Sequence, residues 1–309
     1  MAQTTAPRPL VSICIATNGK TEWTIPVIES VYAQTDVDES LYEVICTDNG
    51  SSDELSKAVT AIKHANFHYY RSEAPGFTNQ IVAFEKACGE FRKLQNARCV
   101  LLPGSLASII ELAQRYRYTK PAIYCTNLGK APETVECGDF DSFLLELGIL
   151  STWSGGTCAW DEDIARIRDY PIDVEFPHTA AFFLPGKTGY VVYNAHISNS
   201  LDDAGKGGYN PFKTFLVTYP TLLQGLVRDG RISEATFEAL KEILLDFISG
   251  TVVGEVILPT KYTFDYSNLR SHVEVFYGRK GYRRLIGKCI IRAPGILRSR
   301  LKAALKRKR

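Results

Sequence analysis

The chain has 309 residues, 45% hydrophobic and 23% charged, with a net charge of +2. That is the make-up of an ordinary soluble globular protein, long enough for one large domain and an appendage. Its 8 Cys sit singly, with no CxxC pair, so they read as reduced core thiols rather than zinc ligands. The start lacks the charged segment, apolar run and cleavage site of a signal peptide, and no stretch reaches the roughly 20 apolar residues of a membrane span. The expectation is a cytoplasmic protein, neither exported nor integral.

In chain order, Leu10 to Ile15 is a compact apolar run that ends in the turn Ala16-Thr17-Asn18-Gly19, a buried strand entering a loop. A helix is predicted over Glu22 to Gln34, with Ile25, Ile28, Val31 and Tyr32 on one face. A second strand, Tyr42 to Thr47, stops at the polar run Asp48 to Asp53, and a second helix follows. Phe67 to Arg71 is a third strand and Phe77 to Cys88 a third helix, closed by Gly89. KLQNARCVLLPGSL, residues 93 to 106, reads as a buried strand around VLL that runs into a helix from Ser105; AIYCT follows at 122 to 126. Such alternation predicts an α/β fold with a mostly parallel sheet covered on both faces, binding its ligand at the carboxyl ends of the strands.

After about Gly207 the pattern becomes helical: two amphipathic helices joined at Asp229-Gly230, the second capped by Ser233. From Arg279 onward there are 13 Lys and Arg and no acidic residue, which leaves the rest with 23 basic against 34 acidic residues. Between those charges lie Leu285, Ile286, Ile290, Ile291, Ile296, Leu297, Leu301 and Leu305, a pattern for short helices in an anionic membrane surface, interrupted at Pro294-Gly295. Its apolar residues are aliphatic rather than stacking aromatics, which speaks against nucleic acid. The expected division is a nucleotide-sugar-binding and catalytic domain at 1-206, a helical appendage at 207-278 and a basic membrane-surface tail at 279-309.

VSICIATNGKTEWTIPVIESVYAQ, YEVICTDNGSSDE and AFEKACGEFRKLQNARCVLLPGSL, in that order, resemble the first part of family 2 glycosyltransferases of the GT-A fold, a Rossmann-like sheet. The resemblance covers roughly the first third of the chain. It implies transfer of a sugar from a nucleotide diphosphate, a UDP-sugar above all, to a hydroxyl with inversion. Bacterial enzymes of this type act on lipid-linked surface polysaccharide such as O-antigen or capsule, and the basic tail suits such an acceptor on the inner face of the membrane. The competing class is a non-catalytic sugar-nucleotide or glycan-binding partner. A nucleotidyltransferase is disfavoured, because no glycine-rich, lysine-bearing triphosphate loop follows the first strand; PGKTGY at Pro185 lacks the first glycine of such a loop.

Asp48, helped by Asn49, can accept a base N–H, although Asp-Asn-Gly is good turn chemistry without a ligand. Thr17 and Asn18 stand at the neighbouring strand end. Arg71 could pair with a phosphate or make a surface ion pair, and Asn79 follows the Gly76 turn. The family places a metal-binding DxD where this chain has Asn96, Ala97, Arg98 and Cys99, a degenerate metal position. Three explanations stay open: Ala97 replaces a natural aspartate, in which case manganese or magnesium is the cofactor; Arg98 neutralises the departing diphosphate without metal; or the protein only binds. The family's base matches the segment where His178-Thr179 stands, so His178 is the first candidate base, with Asp161, Glu162 and Asp163 as alternatives. STWSGGTCAW offers two Trp as a sugar-stacking wall.

Overall fold

A computed structural model describes residues 8–129, 131–201, 205–258 and 260–306; the side chains of Leu301 and Leu305 lie outside the described set. The chain forms two compact units, Met1–Asp202 and Asp203–Arg309. The second unit takes the expected appendage and basic tail together.

In the first unit β1 (Val11–Thr17), α1 (Thr21–Tyr32), β2 (Tyr42–Asp48), α2 (Glu54–Ala58), β3 (Phe67–Arg71), α3 (Asn79–Lys86) and β4 (Phe91–Asn96) alternate. There follow β5 (Cys99–Leu101), α4 (Ser105–Tyr116), β6 (Ala122–Cys125), β7 (Glu133–Cys137), α5 (Phe140–Leu147), β8 (Cys158–Trp160), α6 (Ile164–Asp169), α7 (Ala180–Phe183), β9 (Tyr190–Asn194) and β10 (Ser198–Ser200). The main sheet has the order β3-β2-β1-β4-β8, with β1 to β4 parallel and β8 antiparallel to β4. Two small sheets flank it, β10-β5 and β6-β9-β7.

Strand parity explains why the apolar runs are continuous. Val11, Ile13, Ile15, Val44 and Cys46 pack with Val27, Ile28 and Val31 of α1 and Leu106, Ile109 and Ala113 of α4. Cys14, Ile45 and Leu94 pack with Ile81 and Phe84 of α3 and Ala180 and Ala181 of α7 on the other face. Burying a Leu or Ile side chain contributes about 2 kcal/mol, so a sheet lined on both sides is the main apolar stabilisation of this unit. The expected strand within residues 93 to 106 divides in two. The sheet strand is FRKLQN, hidden in the sequence because Arg92, Lys93 and Gln95 are buried polar residues; CVL is a separate short strand paired with β10. Asn96 to Arg98 therefore form the turn at the carboxyl end of β4.

In the second unit α8 (Pro211–Lys213) passes through a π-helical stretch, Thr214–Thr218, into α9 (Tyr219–Arg228). α10 (Glu234–Thr251) is capped as expected, Ser233 Oγ accepting the Thr236 N–H at 3.1 Å. α11 (Leu269–Lys306) runs on through Pro294 and breaks instead at Gly278, whose φ of 61° and ψ of −175° only glycine adopts readily. Leu285 and Cys289 turn inward against α10. Arg284 pairs with Glu242, and both Lys288 and Arg292 pair with Asp246. The tail is thus less cationic than its sequence alone suggests.

Candidate active site

The carboxyl ends of β1, β2 and β3 meet. Asn49 N–H donates to the Thr17 carbonyl at 3.1 Å and Ser72 N–H to the Asp48 carbonyl at 2.8 Å. The Asn79 amide, 2% exposed, donates to the carbonyls of Thr17 and Thr47 at 3.2 and 2.8 Å and so clamps two strand ends. Asn49 Nδ2 donates to the carbonyls of Ala74 and Gly76 at 2.7 and 2.9 Å, tying down the loop after β3. A Cβ on Gly50 would lie 2.3 Å from the Asn18 carbonyl oxygen, so glycine is what lets the first two turns touch. Thr17 Oγ1 shares a 2.7 Å hydrogen bond with Thr24, while Asn18 is exposed at the rim.

Asp48 sits differently from expectation. It is fully buried; Oδ1 accepts from Gly50 N–H, and Oδ2 accepts from Tyr69 Oη and Arg71 Nη1, each at 2.7 Å. Burial, then the Asp48 carboxylate, pushes the Tyr69 phenol up to about 12, so it remains a donor. Arg71 also donates to the carbonyls of Ser52 and Gly50 at 3.2 and 2.5 Å. The pair Asp48–Arg71 is therefore a staple between β2 and β3. Sequence reasoning missed Tyr69, although its two-residue spacing from Arg71 puts both on one face of β3.

At the end of β4 the turn is set by Asn96, whose Oδ1 accepts the Arg98 N–H at 3.0 Å. Ala97 leans on the apolar core. The Arg98 guanidinium stacks on the Trp23 ring, 3.4 Å from its centroid, and Lys20 Nζ lies 5.9 Å from the same ring. β1 and β4 are neighbours in register at Ala16 and Asn96, which is why the start of α1 faces this turn. A divalent cation seeking carboxylate oxygens does not fit this set: Asn96 Oδ1 is engaged, Ala97 has no ligand atom and Arg98 is cationic. Among the described residues no group of three His, Cys, Asp or Glu could hold a metal ion.

The far wall of this region is the segment Gly148 to Thr157. Gly155 packs on Asn96, with room for a Cβ at 3.4 Å from the Asn96 Cβ. Lys93, 1% exposed, reaches the Gly155 carbonyl at 3.1 Å, the Gln95 Oε1 at 2.9 Å and the Leu94 carbonyl at 3.0 Å. Tyr124 Oη lies 2.5 Å from the carbonyls of both Leu150 and Trp153. Trp153 is 47% exposed and can serve as a stacking surface, whereas Trp160 is a core residue bonded to the Pro121 carbonyl at 2.8 Å.

The base candidates fare worse. His178 is 2% exposed, with its ring between Phe176 and Phe182. Burial lowers its pKa to about 4 against a weaker opposing pull from the Ser151 backbone, which makes it a poor proton acceptor. Asp161 follows Trp160, which pairs with Phe91 at the amino end of β4. At about 3.3 Å per residue this is roughly 16 Å from Asn96, the wrong end of the sheet. Asp161 pairs with Arg8 and Lys120 at 2.8 and 3.0 Å, which outweigh burial and hold its pKa below the usual carboxylate range. Asp163 is buried against Lys187, with Arg166 3.5 Å away. These carboxylates anchor structure and do not face the strand ends.

Residues 12–135 match the family model described as Glycosyl transferase family 2. Among solved structures the chain is similar to S. aureus TarS 1-349 in complex with UDP-GlcNAc, at 14% identity and TM-score 0.54, over 78% of this chain and 72% of that one. A second TarS 1-349 structure aligns at 15% identity and TM-score 0.52 over 92% and 80% of the two chains. S. aureus TarS itself aligns at 14% identity and TM-score 0.54 over 93% of this chain and 50% of that one. No curated protein sequence matches the chain. The matched segment contains β1 to β4 and their joined carboxyl-end turns: residues 12–135 are similar to family 2 glycosyltransferases, and the chain has the GT-A fold.

Proposed function

We propose that this chain transfers a sugar from a UDP-sugar to a hydroxyl of a lipid-linked bacterial glycan, O-antigen or capsule in type, while resting on the inner face of the cell membrane. The observation that carries the transfer is the joining of the β1 and β2 ends, with Asn18 exposed after β1, together with the Arg98–Trp23 stack that links the end of β4 to the start of α1. UDP is preferred because the similar TarS structure holds UDP-GlcNAc. In the reaction the acceptor oxygen bonds the anomeric carbon, the bond from that carbon to the diphosphate oxygen breaks with its electron pair, and the hydroxyl proton passes to a base. Trp153 is the proposed stacking surface for the acceptor sugar.

The membrane part of the reading is supported by α11. Ile286, Ile290 and Leu297 are 38%, 69% and 44% exposed and fall on one helical stripe, roughly 100° around the helix from buried Leu285 and Cys289. Exposed Arg279, Lys280, Arg283 and Arg298 border it. Such a face suits a bilayer with anionic headgroups, each basic residue contributing about 1 kcal/mol. No described helix is long and apolar enough to cross a membrane.

A second reading, a binding protein without turnover, is favoured by the burial of His178 and the engagement of Asp48. Incubation with a panel of nucleotide sugars and extracted lipid-linked glycans separates the two. Sugar on the lipid fraction supports transfer; saturable binding of donor with neither transfer nor hydrolysis supports the second reading. Sedimentation with vesicles containing anionic lipid, compared with neutral vesicles, tests the membrane part.

A further inference from the structure

Resting on the nucleotide-sugar reading above, we propose that the donor diphosphate is held without a metal ion, by a cationic shelf made of Arg98 and Lys20 on the indole of Trp23. In this chain the place where carboxylates would bring a divalent cation has none. What stands there instead is a guanidinium stacked 3.4 Å from the Trp23 centroid and an amino group 5.9 Å from the same ring. Two basic side chains carry the same formal charge as one divalent cation.

The arrangement has the properties such a shelf needs. A guanidinium is charged at any physiological pH, and stacking employs its face while its edge carries the N–H groups that meet phosphate oxygens; Arg98 Nη1 is buried, so the rest of the half-buried edge is what the shelf presents. The indole fixes a side chain that would otherwise lose much rotamer freedom on binding. Asn96 Oδ1 holds the turn by accepting the Arg98 N–H, and Gly155 packs against Asn96. Both basic residues belong to loops at the carboxyl edge of the sheet, Lys20 just before α1 and Arg98 just after β4, where ligands of such sheets lie. Ala97 leans into the core rather than toward this surface.

The test is calorimetric titration of the full chain with UDP and with uridine, first in EDTA and then with manganese chloride; GDP and guanosine run in parallel. UDP is expected to bind in EDTA, and manganese to change its affinity by less than a few-fold. Arg98→Gln and Lys20→Gln are each expected to weaken UDP by roughly tenfold, the scale of one lost charge-assisted bond, while leaving uridine unchanged. Arg98→Lys keeps the charge and loses the fork, so an intermediate loss is expected, and unchanged melting curves certify the fold. Diphosphate binding that appears only with manganese overturns the inference and leaves the glycosyltransferase reading intact, as does an equal loss of UDP and uridine in Arg98→Gln. If neither diphosphate binds under any condition, the donor reading falls and takes the shelf with it.

Discussion

His178 gives the most quantitative prediction. Its ring is 2% exposed, flanked by Phe176 and Phe182 at centroid distances of 6.1 and 6.2 Å, and its pKa is about 4 against an ordinary 6.5. Between pH 6.5 and 4 the unfolded chain takes up a proton at this residue and the folded chain does not. Stability that is present above pH 6.5 is therefore lost as the pH falls, and the gap corresponds to about 3 kcal/mol by pH 4. Carboxylates titrate in the same range, so the wild-type curve alone does not isolate the effect. His178→Leu, of similar volume and without the ionisable ring, removes it. Urea unfolding of both proteins at pH 8 and at pH 4.5 should show the variant gaining on the wild type by about 2 to 3 kcal/mol on acidification. Parallel curves would refute the reasoning and mean that the imidazole is solvated or paired in the folded protein.

Three further outcomes are expected. Asp163→Asn, which leaves Lys187 buried with a weakened partner at the amino end of the sheet, should cost about 3 kcal/mol in denaturant titration while leaving kcat/KM for sugar transfer unchanged; a selective loss of kcat would return this residue to the reaction. Arg71→Met strips the buried Asp48 carboxylate of its guanidinium, which is itself 42% exposed, and should destabilise the fold, read as a lower urea midpoint. Gly50→Ala drives a methyl to 2.3 Å from the Asn18 carbonyl, so a loss of about 1–3 kcal/mol together with faster amide exchange at residues 18–19 and 49–50 is expected.

The parallel sheet was legible because Val11 to Ile15 and Tyr42 to Cys46 are buried on both faces and carry apolar residues at every position but Ser12 and Glu43, which bond one another. β4 was not, since Arg92, Lys93 and Gln95 enter the core with their own hydrogen-bond partners, which hydropathy reads as surface. Asn96 and Arg98 stand in the turn between β4 and β5. Asp48 and Arg71 read separately in the sequence, one for a base N–H and the other for a phosphate or a surface ion pair; that they are partners depends on the register Asp48↔Arg71 across two strands. The acidic trio at 161 to 163 misled for a similar reason: β8 runs antiparallel to β4 and delivers those residues to the opposite edge, a direction that no local pattern encodes. Pro294 was read as a break, yet it sits within α11 while Gly278 makes the interruption.

Lys93 has a consequence for anyone who later aligns descendants of this sequence. Its three bonds go to Gln95, Leu94 and, 62 positions away, Gly155, and each acceptor would be stranded by a shorter or apolar replacement. Methionine fills similar space and donates nothing, so natural variation toward apolar residues at this position should be small. Invariance of that kind invites a catalytic label, and here its origin would be architectural.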